Sequence, residues 1–252
     1  MSEPAKAPAL TGDLSDIDVT FVDREGGARS GSLAALWGEP FELARPVREF
    51  VAFKGQKNFT GEYWAATSRF LVGYESWVER DAAMALDFEP SVVALASQPF
   101  RLAWRGDGWE RAHTPDYFAR LADGSGLVVD VRPQALVDEE SAAIFASTKL
   151  ICEAVGWQFR LVGELGEPFR ANLRWLARYR HPRCHRAEIA NALREVFAAP
   201  RSLFSGAELV GDRITVLPVL YHLLWQQALT ADLLSAPLGA GTEVRVSVKG
   251  RQ

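Results

Sequence analysis

Cysteine is nearly missing from this chain: Cys152 and Cys184 are the only two in 252 residues, too few for a disulfide framework. Long apolar runs are missing as well, since none approaches the ~18 residues of a membrane-spanning helix. The opening MSEPAKAPALTGDLSD lacks the basic-then-apolar layout of a secretion leader. These absences together lead us to expect a cytoplasmic protein with no membrane partner. There is no cationic excess either, because 28 Lys and Arg stand against 32 Asp and Glu, a net charge of -4. Affinity for a polyanion comes mainly from Lys and Arg that displace counterions. The balance therefore argues against a free-standing, high-affinity DNA binder. It fits a subunit delivered to its site by partners, or a mildly acidic enzyme with a local basic groove.

The two cysteines sit in different settings. Cys152 shares a helical face with Ile144, Thr148, Ile151 and Val155 and reads as a buried thiol. Cys184 lies in HPRCH (181–185), three potential zinc ligands with no second cluster in the sequence to complete four.

What the chain has is apolar and aromatic content, 48% and 11%, ample for packed cores over this length. Residues 1–53 read as an N-terminal extension. Its first 16 or so are a disordered lead, 18–22 alternates as a strand, 32–37 is a short helix, and 46–53 is extended. Residues 53–76 mix Lys54, Lys57 and Arg69 with Phe53, Phe59, Tyr63, Trp64 and Phe70, a composition suited to phosphate and base contacts or to a core with a solvated edge. Val78, Ala82, Ala85 and Leu86 recur at helical spacing, so 75–86 reads as an amphipathic helix with Glu75 over its apolar face and Glu79 at the edge. A strand-rich stretch follows over 91–104, then a turn at 105–110 leading into the strand that carries Asp116. A helix over 138–155 and a strand over 157–163 complete an α/β pattern. From about 166 the chain changes character, with helices over 170–182, 187–198, 203–210 and 214–224 and a terminal strand over 239–248. Three helices and a β-wing describe a winged helix. From Arg180 onward it holds nine Lys or Arg and six Asp or Glu, a weakly basic balance that suits protein docking as well as DNA contact.

The chemistry concentrates in HTPDYF (113–118) and GLVVDVRP (126–133), which flank the turn-rich ADGSG (122–126) and predict a β-hairpin. A register pivoting on Gly124 sets Leu121 opposite Leu127 and Asp116 opposite Arg132, because partner numbers in a hairpin have a constant sum. Alternation then puts Asp130 and Arg132 on one face, with Leu127, Val129 and Val131 on the other. Two carboxylates and a cation converge at one end. Hard oxygen ligands of this kind suit Mg²⁺ or Mn²⁺, and either Glu75 or Glu79 of the upstream helix could point towards the sheet as a third carboxylate.

These ordered strings, ESWVERD, a DFEP turn, SQPF, HTPDYF and VVDVRP, resemble the catalytic domain of TnsA-like endonuclease subunits of heteromeric transposases, in the PD-(D/E)xK nuclease superfamily, across residues 54–163. The resemblance implies a restriction-endonuclease-like mixed sheet flanked by helices over 54–165, ahead of the winged-helix-like domain over 166–252. It implies that Glu79, Asp116 and Asp130 hold Mg²⁺ or Mn²⁺, that Asp130 and Arg132 occupy the (D/E/Q)-x-K pair, and that Gln98 and Pro99 match a shape motif. It also implies DNA at transposon ends as substrate, a DDE-type transposase and an AAA+ ATPase regulator as partners, and a bacterial cytoplasm with nucleoid association on DNA.

The family normally has Lys where this chain has Arg132. A guanidinium binds phosphate oxygens well and does not release a proton at usable pH, so the position can stabilise charge but is unsuited to general-base work. Lys149 and His113 are then the nearby proton acceptors to weigh, against bland readings as a solvated helix lysine and a hydrogen-bonded strand-entry residue. The expected activity is hydrolysis of one DNA strand at the transposon ends. The alternatives are an assembly subunit in which Arg132 neutralises both aspartates, and a stand-alone restriction or repair nuclease.

Overall fold

The computed structural model describes residues 16–48, 59–106 and 109–247, and it divides into two compact units. The predicted disordered lead, the extended segment from 49 onward, and Lys54 and Lys57 lie outside the described residues. Among the described residues no helix is long and apolar enough to cross a membrane.

The first unit holds residues 16–48, 59–86 and 91–164. Its strands are β1 (Ile17–Val22), β2 (Ala28–Ser32), β3 (Gly61–Trp64), β4 (Leu71–Tyr74), β5 (Val92–Ser97), β6 (Phe100–Gly106), β7 (Trp109–His113), β8 (Tyr117–Leu121), β9 (Gly126–Val131) and β10 (Gln158–Val162). Helix α1 (Leu33–Leu36) follows β2, α2 (Trp77–Phe88) runs between β4 and β5, and α3 (Glu139–Ala154) links β9 to β10. One sheet is antiparallel in the order β2-β1-β6-β7, and a second is mixed in the order β10-β9-β8-β5, with β10 parallel to β9. Strands β3 and β4 pair as a separate hairpin.

The period-two pattern of β8 and β9 is resolved into two cores. Tyr117, Ala119, Leu127 and Val129 pack with Ala82, Ala83 and Leu86 of α2, whereas Phe118 and Val128 pack with Ile151 and Cys152 of α3 and with β1 and β6. Burial on both faces makes this strand pair a rigid base, as expected of strands covered by elements on each side. The expected N-terminal extension is corrected here. Ile17, Val19, Phe21, Leu33 and Phe41 belong to the same core as Phe100, Leu102 and Trp104, and β1 pairs with β6 from Ile17↔Trp104 to Phe21↔Phe100. Phe41 meets the rings of Phe21, Phe100, Phe118 and Trp157 edge-on, with centroids 4.8–5.9 Å apart. Each such contact contributes about 0.5–1.5 kcal/mol beyond area burial. Those residues are integral to the unit.

The hairpin register also differs from the predicted one. The observed pairs include Ala119↔Leu127 and Tyr117↔Val129, where a Gly124 pivot required Leu121↔Leu127. The loop is three residues long because Gly124 takes the left-handed conformation, φ +87°, and donates its amide to Leu121 O at 2.9 Å. Asp123 Oδ1 accepts from the Ser125 amide at 2.9 Å and its hydroxyl at 2.7 Å, which moves the pivot to Asp123. A slip of two preserves every face and changes every partner. The residue opposite Asp116 becomes Asp130, and Arg132 lies beyond it.

The second unit holds residues 87–90 and 165–247. It comprises α4 (Phe169–Leu176), α5 (Ala187–Val196), β11 (Arg201–Ser202), α6 (Leu203–Val210), α7 (Arg213–Trp225), β12 (Leu229–Ala231) and β13 (Glu243–Val246). The arginine-rich helix expected over 170–182 is shorter, ending at Leu176 and continuing as 3-10 turns at Ala177–Tyr179 and Pro182–Cys184. The small sheet has the order β11-β13-β12. Buried Asn172 anchors the long β12–β13 connection, donating to Leu233 O and Ala236 O at 3.0 and 2.9 Å and accepting from the Leu238 amide at 2.8 Å. Helix α7 is buried from Val219 to Trp225, and Asp212 caps its start by accepting from the Ile214 amide.

Candidate active site

Asp116 and Asp130 sit where β7, β8 and β9 come together. His113 ends β7 in the antiparallel sheet, and two residues, Thr114 and Pro115, carry the chain across to Asp116 at the entrance of β8 in the mixed sheet. The Asp116 amide approaches Asp130 Oδ1 at 3.4 Å, and Asp116 Oδ2 accepts from the Val131 amide at 2.7 Å. Asp116 Oδ1 accepts no hydrogen bond among the described residues. Burial pushes the Asp116 carboxyl up to about 8, the neighbouring Asp130 charge adds to the rise, and the Val131 amide opposes it. Two carboxyls side by side in a dry setting do not both ionise readily without a cation.

Asp130 is buried, with both oxygens 2.8–2.9 Å from His113 Nε2. A carboxylate only accepts, so the imidazole donates from Nε2. His113 is thus the hydrogen-bonding partner of Asp130, in the place that the sequence reading gave to Arg132. The Arg132 guanidinium turns the other way, donating from Nε to Leu136 O at 3.1 Å, while the Arg132 amide donates to Val162 O of the strand next door at 2.8 Å. The expected salt bridge between Arg132 and the two aspartates is absent among the described residues.

Glu79 lies in the first turn of α2 and is occupied as a cap. Its Oε2 accepts from the Glu75 amide at 2.6 Å and its Oε1 from the Ser76 hydroxyl at 2.8 Å, and Ser76 Oγ in turn accepts from the Glu79 amide at 3.2 Å. This is close to a capping box. Burial raises the Glu79 carboxyl above its usual range, the two hydrogen bonds oppose that rise, and its charge in turn pushes Asp116 up. Glu79 is therefore within electrostatic reach of the pair, but both its oxygens are engaged. Among the described residues no three His, Cys, Asp or Glu side chains gather closely enough to hold an ion by themselves. The three carboxylates expected to converge do not do so: Asp116 and Asp130 lie together, and Glu79 is engaged as a cap.

Several residues around the pair were not singled out for the site. Gln98, buried and at φ +44°, donates its amide to Asp116 O at 2.9 Å, while its side-chain oxygen accepts from Arg48 Nε at 3.0 Å. A left-handed glutamine is sparsely populated and held here by its surroundings. Arg48 continues to Glu75 Oε2 at 2.5 Å, and its charge lowers the Asp116 carboxyl against the rise. Tyr117 closes the base from below, its buried hydroxyl within 3.2 Å of Gly73 O and 3.1 Å of Glu79 O, so that β8 is tied to the start of α2. The SQPF string contained a signal for Gln98, since a residue before proline is driven from the helical region. Nothing in the local sequence pointed to Arg48, which reaches Gln98 from 50 residues away. Lys149 forms an ion pair with Glu153 one helical turn along α3 at 3.8 Å, as a solvated helix lysine does.

The donor set fits a hard divalent cation. Mg²⁺ is commonly held by one or two carboxylates, with water and substrate phosphate completing its octahedron. Asp116 and Asp130 are the residues that would hold it, and the Asp116 Oδ1 acceptor is available for it. No protein-family model matches the chain, and no curated protein matches it either.

Proposed function

We propose that this chain is a metal-dependent DNA endonuclease, the TnsA-like subunit of a heteromeric transposase, hydrolysing one strand at transposon ends. The observation that carries the reading is the buried Asp116–Asp130 pair at the mouth of β8 and β9, with the Asp116 carboxyl pushed up to about 8 by burial and by the Asp130 charge beside it. In support, the mixed sheet β10-β9-β8-β5 lies between α2 and α3 as a restriction-endonuclease-like core would. The order α5, β11, α6, α7, β12, β13 in the second unit supports the winged-helix reading. Mg²⁺ or Mn²⁺, when bound, supplies Lewis-acid stabilisation of the phosphoryl oxygens and lowers the pKa of the attacking water. Asp116 and Asp130 would hold it, His113 orients Asp130, and the exposed Arg132 would release Leu136 O to steady a phosphate oxygen of the incoming strand. Transposon-end DNA, a DDE-type transposase and an AAA+ regulator belong to this reading through the sequence resemblance.

A non-catalytic assembly role is the second reading. It is favoured by the His113–Asp130 pairing and the Glu79 cap, which satisfy two of the three acids without metal. Nicking of supercoiled plasmid carrying transposon ends, with Mg²⁺ or Mn²⁺ and with and without the transposase, separates the two. Metal-dependent nicking lost in Asp116→Ala supports the enzyme, and nicking that survives this substitution overturns the site. Activity without the transposase would instead mark a stand-alone nuclease.

A further inference from the structure

The positive charge of the second unit is gathered in one stretch. Residues 168–187 carry six arginines and no Asp or Glu, in a chain whose net charge is -4. Elsewhere in the unit the signs are interspersed, as on an ordinary surface: α5 holds Glu188, Arg194 and Glu195, and β13 holds Glu243 and Arg245. The fold brings the basic stretch to one place. Helix α4 and the 3-10 turns Ala177–Tyr179 and Pro182–Cys184 all pack on α7. Trp175 meets Tyr221 edge-on at 5.8 Å, Tyr179 lies 4.9 Å from the same ring, and His185 lies 5.9 Å from His222, the next residue of α7. Buried His222 ties the stretch down further, its Nδ1 donating to Tyr179 O at 2.7 Å.

With the aromatic rings turned towards α7, Arg178, Arg183 and Arg186 stand exposed, and none of the three makes an ion pair among the described residues. Trp175 is 40% exposed, and the Arg178 guanidinium lies over its ring, 5.2 Å from the centroid. A guanidinium stacked in this way keeps its N–H fork in the ring's outer plane and is partly ordered before any ligand arrives, which lowers the cost of binding. Helix α7 is a poorer place for a polyanion. In a helix-turn-helix arrangement the second helix enters the major groove, but at the start of α7 Arg213 is paired with Glu208 at 3.5 Å and the neighbouring Ile214 is 86% exposed.

We propose that the second unit grips duplex DNA through α4 and the two 3-10 turns that follow it, with phosphates taken by Arg178, Arg183 and Arg186, rather than through α7. The inference rests on the reading of the chain as one that acts on DNA, and it adds the surface that does the holding. A stretch of one sign fits a ligand of the opposite single sign, and the guanidinium fork matches phosphate oxygens two at a time. A protein partner's surface would itself mix signs. Three phosphate contacts make a weak, salt-sensitive grip, which suits a chain that partners deliver to its site.

The test reads binding without cleavage: the full chain is titrated into a short fluorescein-labelled duplex of mixed sequence, in EDTA, by anisotropy at several salt concentrations. Each lost phosphate contact flattens the slope of log affinity against log salt by about 0.9, so the triple variant Arg178→Gln, Arg183→Gln, Arg186→Gln should flatten it by about 2.7 and bind roughly tenfold or more weakly. All three side chains are exposed, so this variant tests the surface and not the fold. Arg213→Gln is expected to bind as wild type does. Asp116→Ala is expected to bind as wild type while losing nicking, so a failed grip and a failed catalytic reading show separately. Polyglutamate should compete less well than unlabelled duplex, since DNA carries one charge per about 1.7 Å and releases more counterions. Polyglutamate that competes equally would assign the stretch to an acidic protein and overturn the proposal. So would no salt-dependent binding by wild type, a triple variant with wild-type affinity and slope, or a loss found in Arg213→Gln instead.

Discussion

Asp116 and Asp130 are cross-strand neighbours, one step beyond the Tyr117↔Val129 pair, with the amide of the first 3.4 Å from a carboxylate oxygen of the second. Like charges directly opposite on a strand pair destabilise it. The protein relieves this by keeping Asp116 protonated well into the neutral range, its carboxyl pushed up to about 8 by burial and by Asp130.

The linkage has a definite sign. The folded-state value of Asp116 is above its unfolded value of 3.8, so the folded protein holds a proton that the unfolded chain releases. The associated stability is fully present below about pH 4 and is lost progressively as pH rises through about 8. Asp116→Asn removes the titrating group while keeping its shape. In urea unfolding without divalent metal, the Asn variant should gain stability relative to wild type between pH 5 and pH 8. A gap between the two proteins that does not change with pH would show that Asp116 is ordinary in the folded state.

Among the described residues His113 is the side chain that hydrogen-bonds Asp130, at 2.8 and 2.9 Å, and Asp130 is 2% exposed. His113→Ala leaves that buried carboxylate with only the long contact from the Asp116 amide, and a largely unsatisfied buried acceptor costs on the order of 1–3 kcal/mol. We expect a lower urea midpoint for His113→Ala with an unchanged slope. His113→Gln, which keeps a donor, should recover part of the loss. Adding Mg²⁺ should raise the midpoint of the Ala variant, because a cation replaces the missing donor. A midpoint within error of wild type would mean the pair carries no net stability.

Much of this was legible beforehand, and the failures have physical causes. Helices α2 and α3 were readable from apolar spacing and caps, and Asp138 does accept from the Ser141 amide at 2.8 Å as an N-cap. The hairpin and its two faces were readable from alternation. Its register was not, because a slip of two leaves alternation intact and only the loop chemistry of Asp123, Gly124 and Ser125 decides it. The His113–Asp130 contact was hidden because His113 and Asp130 belong to different sheets. The place of β1 was hidden because Ile17 pairs with Trp104 far along the chain, and local pattern carries no information on such pairings.

Gly206 offers a test in the second unit where two known effects oppose each other. In α6, Gly→Ala gains about 0.8–1.0 kcal/mol of helix propensity. A Cβ at Gly206, however, would lie 2.2 Å from Phe197 Cζ and 2.5 Å from Cε1, and Phe197 is fully buried. Overpacking of that kind costs about 1–3 kcal/mol, so the clash should win. Gly206→Ala is expected to lower the thermal midpoint of the chain. Gly206→Ala with Phe197→Leu should recover part of it, and a single variant as stable as wild type would mean the Phe197 ring shifts freely.

The last test concerns whether Glu79 is a cap or a ligand, since the sequence resemblance assigns it to metal and its hydrogen bonds assign it to α2. Both oxygens are occupied, by the Glu75 amide at 2.6 Å and the Ser76 hydroxyl at 2.8 Å. Loss of a cap costs about 0.5–2 kcal/mol, so Glu79→Ala should destabilise the chain by that order. Glu79→Gln keeps an acceptor for the Glu75 amide and should stay within about 0.5 kcal/mol of wild type, because a neutral amide still caps. The two roles then separate in the nicking assay. A cap predicts that Glu79→Gln retains cleavage to within about tenfold, whereas loss of a charge that stabilises the transition state typically costs about 100-fold or more. We expect the smaller effect, with Asp116→Ala inactive beside it. A fully folded Glu79→Gln protein as dead as Asp116→Ala would return Glu79 to the metal site and show that it leaves its cap when DNA binds.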